Sequence, residues 1–180
     1  MKNIKLILFD VDGVMTDGSI FISENGELFK SFNAKDGLAI ELLRTHNIKT
    51  GVISGKSSKA LAKRCKDLAF DYIETGCKNK LPRVKKICDI LNINLSEVAF
   101  VGDDVIDLPV IDLCGVSFAP SDAHQLVLER VQNVTSAAGG QGVVREVADK
   151  LLLSRSKNLE DVYKVFLDKI LNDEMKTMEQ

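Results

Sequence analysis

The clearest indication of the fold class is the segment Ile4-Lys5-Leu6-Ile7-Leu8-Phe9-Asp10-Val11-Asp12-Gly13-Val14. Its apolar run does not alternate in polarity, which is typical of a strand covered by helices on both faces, and two carboxylates follow it at once. Comparable short runs recur at 50–53, 72–73, 98–101 and 116–118. Amphipathic patterns between them predict helices at 36–46, 57–68, 79–92, 105–113, 122–130 and 142–152. This alternation predicts an α/β protein with a doubly wound parallel sheet.

One segment interrupts the alternation between the first strand and the first helix. Two β-rich runs flank Glu24-Asn25-Gly26, and Asn-Gly in this position is a strong signal for a tight turn, so we predict a β-hairpin inserted at about 18–33. An insertion at this point lies at the carboxyl edge of the sheet, where ligands bind in such folds. An isolated hairpin with many apolar side chains would aggregate, so it predicts association of subunits through Ile20, Phe21, Ile22, Leu28, Phe29 and Phe32.

The length of 180 residues suits a single core, which we assign to residues 1–153, with a C-terminal helix and tail at 154–180. The polar stretch 154–158 marks the break, and helical spacing resumes at Leu159. We expect the last helix to pack on the body or on a neighbouring subunit, and the charged end at 173–180 to fray.

Composition excludes several classes of protein. Twenty-four basic and 26 acidic residues give a net charge of −2, which offers no electrostatic basis for binding nucleic acid or an anionic membrane. The N-terminal apolar run is too short for a signal-peptide core or a membrane span, so we predict a cytoplasmic protein. Its four cysteines are widely spaced and are expected to be buried thiols: Cys65, Cys77, Cys88 and Cys114.

Two acidic clusters close two of the predicted strands. Asp10 and Asp12 follow the first strand, and Asp103-Asp104, with Asp107 beyond, follows the run at 98–101. Carboxylates at the end of a buried strand are costly unless their charge is compensated. Because both clusters lie at carboxyl ends of strands, we predict that they converge on a Mg²⁺ site built on Asp10 and Asp103. The alternative, a capping role for Asp103 and Asp104, explains one cluster but not two.

Two further features suit a phosphate group. Ser54-Gly55 ends the run at 50–53 and precedes a predicted helix, where a hydroxyl and backbone amides can hold phosphate oxygens. Lys80 begins the next predicted helix and can neutralise phosphate charge. Each signal is weak alone, because Ser-Gly is common before helices and a lone lysine is usually solvated.

In this order the motifs resemble those of the haloacid dehalogenase superfamily, and the resemblance covers residues 4–152. It implies a phosphatase in which Asp10 is the nucleophile and Asp12 serves as general acid and then as general base. The other assignments it implies are phosphoryl binding by Ser54 and Lys80, Mg²⁺ ligation by Asp10, Asp103 and the backbone carbonyl of Asp12, and support of these ligands by Asp104 and Asp107.

No interval between the motifs has room for a cap domain. The hairpin and one helix fill the chain from Asp10 to Ser54, and one helix and one strand fill it from Ser54 to Lys80. Within the superfamily, the segments 12–18, 32–37 and 139–146 resemble the 3-deoxy-D-manno-octulosonate 8-phosphate phosphatase family. This resemblance implies a homotetramer whose hairpins form a central barrel, so that one subunit helps to close another's site. It also implies a 2-keto sugar acid phosphate as substrate.

Several residues suit such a substrate. Lys35, Lys56 and Arg145 are candidates for the sugar carboxylate. The remaining substrate-binding candidates are Thr16 and Gly55, with Gly139, Gly140 and Gly142 for close backbone approach. The Ser54-Gly55-Lys56 triplet departs from the Ser-Gly-Arg expected in the octulosonate enzymes, so a nonulosonic (sialic-type) acid 9-phosphate is the alternative substrate.

Two non-enzymatic alternatives stay open at this point. A signalling receiver domain also combines a doubly wound sheet, acidic metal ligands and a lysine, but its acceptor normally ends a middle strand, whereas Asp10 ends the first. A catalytically idle regulatory domain would be expected to lack part of the motif set, which is complete here.

Overall fold

A computed structural model describes the backbone of residues 1–178 and the side chains of residues 1–172. The predicted fraying of residues 173–180 therefore lies outside the part described in full. Six parallel strands form the central sheet in the order β5-β4-β1-β6-β7-β8. Their bounds are β1 (Leu6–Phe9), β4 (Lys49–Ile53), β5 (Tyr72–Glu74), β6 (Val98–Val101), β7 (Val116–Ala119) and β8 (Asn133–Val134).

Helices cover both faces of this sheet, so the predicted doubly wound α/β fold is confirmed. In chain order they are α1 (Ala34–Thr45), α2 (Lys59–Asp67), α3 (Leu81–Leu91), α4 (Leu108–Ile111), α5 (Gln125–Leu128), α6 (Val143–Leu153) and α7 (Leu159–Met178). None of the helices in the described part of the chain combines the length and the apolar character that a membrane crossing requires.

The side chains of β1 explain the two-sided core. Ile7 and Phe9 point into one cluster, which α1, α2, α6 and α7 close, while Leu6 and Leu8 point into a second cluster, which α3, α4 and α5 close. Every residue of β1 is buried because successive side chains of a strand face opposite sides of the sheet. Val162 and Phe166 bring α7 into the first cluster, so the C-terminal helix packs on the body of its own chain.

The structure departs from the predicted elements at three places. The helix predicted at 105–113 is a 3₁₀ turn (Val105–Asp107) followed by the single turn α4, whose second residue, Pro109, lacks an N–H for the helical ladder. The helix predicted at 122–130 shrinks to α5, because the His124 side chain accepts a bond from the backbone N–H of Leu126 and starts the helix there. Strand β8 was not predicted, since two residues carry no readable period.

The inserted hairpin consists of β2 (Phe21–Ser23) and β3 (Gly26–Phe29), which pair antiparallel as a separate sheet. Gly26 has a φ of +104°, which a residue with a side chain rarely adopts, and this explains why glycine holds the turn. The rings of Phe21 and Phe29 stack at 4.3 Å between centroids. Ile22 and Leu28 remain 69% and 62% exposed, so the hairpin presents an uncovered apolar surface within one chain. All four cysteines are buried, as expected.

Candidate active site

The carboxyl ends of three adjacent strands carry the predicted acids and the predicted serine. Phe9 pairs with Val52 of β4 and with Val101 of β6, so the three strands end at the same level. Asp10 continues the ladder by donating its N–H to the carbonyl of Val101 at 2.9 Å. Ser54 and Asp103 therefore leave the sheet beside Asp10, on the edge where the sequence predicted the site.

Lys80 lies beneath this edge as a buried cation. Its Nζ lies 2.8 Å from Oδ1 of Asp10 and 2.6 Å from Oδ1 of Asp107, and its side chain has no exposed surface. The other oxygen of Asp107, Oδ2, accepts bonds from the backbone N–H groups of Asp103 (3.1 Å) and Asp104 (3.4 Å). Asp107 thus contacts the loop with one oxygen and the lysine with the other.

The pKa values show that the negative charge of this cluster is poorly compensated. Burial raises the pKa of Asp10 to about 6, against the opposing effect of Lys80. Burial, together with the charges of Asp10 and Asp107, raises the pKa of Asp103 to about 8. Burial lowers the pKa of Lys80, but the two neighbouring carboxylates outweigh it and the net shift is upward. One ammonium group faces three carboxylates, an arrangement that a further cation would stabilise.

The cluster fits a hard divalent cation. Carboxylate oxygens of Asp10, Asp103 and Asp107 lie within 4.8 Å of one another, and Oδ1 of Asp103 is buried without a hydrogen-bond partner among the described residues. Gly13 permits this approach: it has a φ of +93°, and a Cβ there would lie 2.1 Å from Oδ2 of Asp103. A buried carboxylate oxygen without a donor, surrounded by other acids, is the chemistry expected of a Mg²⁺ ligand.

Above this floor opens a cleft of about 420 Å³. Six of its lining residues were predicted for catalysis, metal binding or substrate binding: Asp10, Asp12, Ser54, Gly55, Lys56 and Asp103. A seventh, Asp104, was predicted to support the metal ligands. Ser54 does not begin a helix, because α2 starts only at Lys59 after Ser58 caps it. A phosphate at Ser54 would thus meet loop amides instead of a helix N-terminus, which corrects the prediction.

Two lysines of this region were missed by the sequence analysis. Lys78 lines the cleft beside Lys56, and both are exposed. The loops that carry them are tied together, since Gly76 and Cys77 donate their N–H groups to the carbonyls of Lys56 (3.4 Å) and Ser54 (3.1 Å). Lys30, at the end of β3, pairs with Asp12 and Glu27. A lysine in a polar loop gives no sequence signal that distinguishes it from a solvated one.

Some predicted residues lie outside the cleft. Thr16 is buried, and its hydroxyl donates to the carbonyl of Val11 at 3.4 Å, so it stabilises the turn after β1. Gly139 and Gly140 pack against the backbone of the same turn, where a Cβ on Gly139 would lie 2.2 Å from the carbonyl oxygen of Gly13. Within one chain, the backbone that approaches these two glycines is that of the turn after β1, and their contact with a substrate stays a prediction. Gly142, with a φ of +96°, precedes α6.

Lys35 and Arg145 are also remote from the cleft within one chain. They line a separate pocket of about 350 Å³, together with Gly142. The Arg145 guanidinium pairs with Asp149 at 3.1 Å and lies 5.0 Å from the centroid of the Tyr163 ring. The structure therefore assigns this arginine to the junction of α6 and α7, and the predicted contact with a sugar carboxylate does not form within a single chain.

This combination of a doubly wound sheet and acids at the ends of β1 and β6 defines the class of protein. A model of the haloacid dehalogenase-like hydrolases matches residues 70–147. Over 156 residues the chain is 44% identical to the 3-deoxy-D-manno-octulosonate 8-phosphate phosphatase KdsC of Salmonella typhi, covering 87% of this chain and 83% of that protein. The chain belongs to the 3-deoxy-D-manno-octulosonate 8-phosphate phosphatase family.

Solved structures agree with this placement. The cobalt-bound deoxy-D-mannose-octulosonate 8-phosphate phosphatase (YrbI) of Haemophilus influenzae superposes with a TM-score of 0.87 at 37% identity, covering 92% of this chain and 98% of that one. The enzyme of Moraxella catarrhalis, in complex with a magnesium ion, a phosphate ion and a KDO molecule, has a TM-score of 0.85 at 32% identity. The match covers 92% of this chain and 94% of that one.

Proposed function

We propose that this protein is a Mg²⁺-dependent phosphoric monoester hydrolase that converts 3-deoxy-D-manno-octulosonate 8-phosphate to KDO and phosphate, a step of lipopolysaccharide biosynthesis. The observation that carries the proposal is the Asp10 carboxylate, fixed by Lys80 at 2.8 Å on the floor of an open cleft. Family membership supports the substrate, since the relatives described above are octulosonate 8-phosphate phosphatases.

The proposed reaction has two steps on the chain's own residues. Asp10 attacks phosphorus and forms an aspartyl-phosphate, while Asp12, at the side of the cleft, protonates the departing C8 oxygen of the sugar. Asp12 then takes a proton from a water molecule, which attacks the phosphorus and releases phosphate from Asp10. Ser54 and Lys80 bind the equatorial oxygens of the phosphoryl group and offset the charge that develops on them.

We assign the metal to the carboxylates whose negative charge is poorly compensated. Asp10, Asp103 and the backbone carbonyl of Asp12 would hold Mg²⁺, with Asp107 and Asp104 fixing the loop around Asp103. When bound, the ion supplies charge stabilisation for the phosphoryl oxygens. The unpartnered Oδ1 of Asp103 supports this assignment.

The opposite end of the substrate carries a carboxylate at C1, far from the phosphate at C8. Lys56 and Lys78 stand at the upper wall of the cleft, and neither forms an ion pair with a described residue. We assign the carboxylate to these two ammonium groups, which takes the place of the contact predicted for Lys35 and Arg145.

The exposed apolar hairpin supports assembly. Ile22, Leu28 and Phe29 would cost free energy in water and would be covered if hairpins of several chains met. We propose a homotetramer joined through the hairpins, as the family resemblance implies, that functions in the cytoplasm.

One assay panel tests the proposed substrate. The kcat/KM for 3-deoxy-D-manno-octulosonate 8-phosphate is compared with that for nonulosonic acid 9-phosphates, each with Mg²⁺ and after chelation with EDTA. We expect the octulosonate to be preferred by at least about tenfold and EDTA to abolish turnover. Preference for a nonulosonate would transfer the assignment to the alternative substrate, and absence of turnover with any phosphate ester would reject a phosphatase.

A further inference from the structure

A buried ammonium group joins the hairpin to the cleft. Nζ of Lys30 lies 2.5 Å from Oδ1 of Asp12 and 3.1 Å from Oε2 of Glu27, and its side chain is only 2% exposed. Lys30 follows directly after β3, whereas Asp12 lies in the turn after β1. The contact therefore joins the end of the hairpin to the turn after β1.

This arrangement differs from an ordinary surface ion pair. Exposed pairs contribute little, because solvent screens them and both side chains must be held. Here the lysine side chain is 2% exposed, and both carboxylates face its ammonium group, which favours the charged form. Burial lowers the pKa of the Lys30 ammonium, but the bonds from Asp12 and Glu27 outweigh this effect and raise it overall.

The pairing fixes the direction of the Asp12 carboxylate. Asp12 is half-buried at the side of the cleft, and within residues 1–172 its Oδ1 has a single side-chain partner, Lys30. Glu27 holds the lysine from the other side, three residues earlier on the hairpin. A proton donor must lie within hydrogen-bond reach of the departing oxygen, so the group that orients its carboxylate controls the transfer.

We propose that Lys30 is a positioning residue, which holds the Asp12 carboxylate in its proton-transfer orientation and makes that orientation depend on the hairpin. The proposal rests on the role of Asp12 as general acid and base in the proposed function. Lys30 does not touch the reacting atoms. It acts through Asp12, and Glu27 acts through Lys30.

Two kinds of phosphate ester distinguish a positioning role of Lys30 from a purely structural one. Transfer from a sugar or other alkyl phosphate requires protonation of the leaving oxygen, whereas p-nitrophenyl phosphate releases a stable anion and gains little from a general acid. The value of kcat/KM covers only the steps through release of the alcohol, so the later hydrolysis of the phosphoenzyme does not obscure it. We therefore compare kcat/KM for 3-deoxy-D-manno-octulosonate 8-phosphate, as the alkyl ester, with kcat/KM for p-nitrophenyl phosphate. Both are measured in the wild type, in Lys30→Met and in the exposed control Lys63→Met.

We expect Lys30→Met to lower kcat/KM for the alkyl ester by about 10²-fold and for p-nitrophenyl phosphate by much less, through kcat more than KM. Lys63→Met should match the wild type on both. Equal losses on the two esters, or no loss, would overturn the positioning role. Since the wild type is measured first, failure on the octulosonate with turnover of p-nitrophenyl phosphate would count against the proposed substrate alone.

Glu27→Gln serves as the second variant, because the Lys30→Met chain could fold poorly. It keeps the ammonium group and replaces its second charged partner with a neutral amide, and the side chain at position 27 is 21% exposed and can be solvated. We expect the same selective loss on the alkyl ester, smaller in size, with an unchanged melting temperature. A Glu27→Gln enzyme with wild-type rates on both esters would contradict the dependence on the hairpin.

Discussion

The floor of the cleft and the hairpin beside it are held in place by opposite means. The floor consists of Asp10, Asp103, Asp107 and Lys80, whose positions are fixed by core strands, by the ion pairs of Lys80 with Asp10 and Asp107, and by the bond from the Asp103 backbone to Asp107. The hairpin has short strands, an exposed apolar surface and, at its base, the buried pair of Lys30 with Asp12. The buried carboxylates of the floor are only partly compensated by Lys80, and the hairpin exposes apolar side chains to water.

The uncompensated charge of the floor and the exposed apolar surface of the hairpin each indicate what must be added to a single chain. The floor needs a cation, because one lysine faces three carboxylates and two of these have raised pKa values. The hairpin needs a cover, which other copies of the chain can provide. The cleft lies between the two regions and takes the nucleophile from one and the orientation of the general acid from the other.

The largest effect is expected from Asp10→Asn. An amide cannot form the aspartyl-phosphate, so kcat should fall by at least about 10³-fold while the hairpin and the oligomeric state stay as in the wild type. Phosphate release with 3-deoxy-D-manno-octulosonate 8-phosphate measures the loss, and the exposed carboxylate variant Asp67→Asn serves as control. Undiminished turnover in Asp10→Asn would reject this residue as the nucleophile.

Lys80→Met tests whether the floor depends on its single cation. The variant leaves Asp10 and Asp107 buried beside each other without the ammonium group, so we expect a loss of about 3 kcal/mol in the free energy of unfolding. Activity should fall by about 10²-fold, since an electrostatic contact to the phosphoryl group is removed as well. Urea unfolding and steady-state kinetics are compared with those of Lys85→Met, an exposed lysine on α3, the helix that Lys80 precedes. A stability equal to that of the control would contradict the proposed network.

The hairpin is tested by Ile22→Lys. The side chain is 69% exposed in one chain, so the change should leave the subunit folded but place a charge in the proposed interface. Light scattering should show the wild type at four times the chain mass of 19.8 kDa and the variant at a lower mass. Lys164, an exposed residue of α7, provides the control Lys164→Glu. A wild type that scatters as a single chain would reject the tetramer.

The sequence predicted the residues at the floor of the cleft better than the lysines on its walls, for a physical reason. Asp10, Ser54 and Asp103 follow apolar runs that form strands, and parallel strands bring their carboxyl ends to one edge whatever the loops do. Lys80 could be predicted only through the order of the motifs, because a lysine before a helix is usually solvated. Lys80 is buried against Asp107, which lies far from it along the chain. The residues next to Lys80 in the sequence therefore do not indicate that it is buried.

The walls depend on loop conformations, which short-range patterns do not determine. Lys30, Lys56 and Lys78 look alike in the sequence, yet the first is buried against Asp12 and the other two line the cleft. Arg145 has the right charge for a sugar acid, but the spacing of α6 places it beside Asp149 and Tyr163. The glycines at 139–140 were predicted to permit close approach of a substrate, and in the structure the turn after β1 packs against them.

Lys78→Ala, alone and with Lys56→Ala, tests the carboxylate assignment on the upper wall. Each ammonium group is exposed, so we expect KM for the octulosonate to rise by about 3- to 10-fold per substitution while kcat changes little. With p-nitrophenyl phosphate, which has no carboxylate, KM should stay constant, and Lys59→Ala provides the surface control. Equal increases of KM for both substrates would place the lysines at the phosphate instead.

The smallest effect concerns Asp36, at the joint where the hairpin leads into α1. Its Oδ1 accepts a bond from the backbone N–H of Arg145 at 3.1 Å and so caps α6, which Gly142 cannot do with a side chain. Burial raises the pKa of Asp36 to about 6, although the backbone N–H of Arg145 and the charge of Arg64 oppose the shift. Because the folded pKa exceeds the unfolded one, the protonated form is favoured in the native state. Its contribution is complete below the unfolded pKa and is lost as pH rises through about 6.

Asp36→Asn keeps an acceptor for the Arg145 N–H and removes the charge. The free energy of unfolding of the wild type, relative to the variant, should therefore fall by about 1–2 kcal/mol between pH 5 and pH 7.5, as the folded carboxyl group ionises. Urea unfolding at several pH values measures this difference, in which the titration of Asp10 and Asp103 cancels because both proteins contain them. A difference that does not change with pH would mean that Asp36 ionises in the folded protein as freely as in water, and that the joint tolerates its charge.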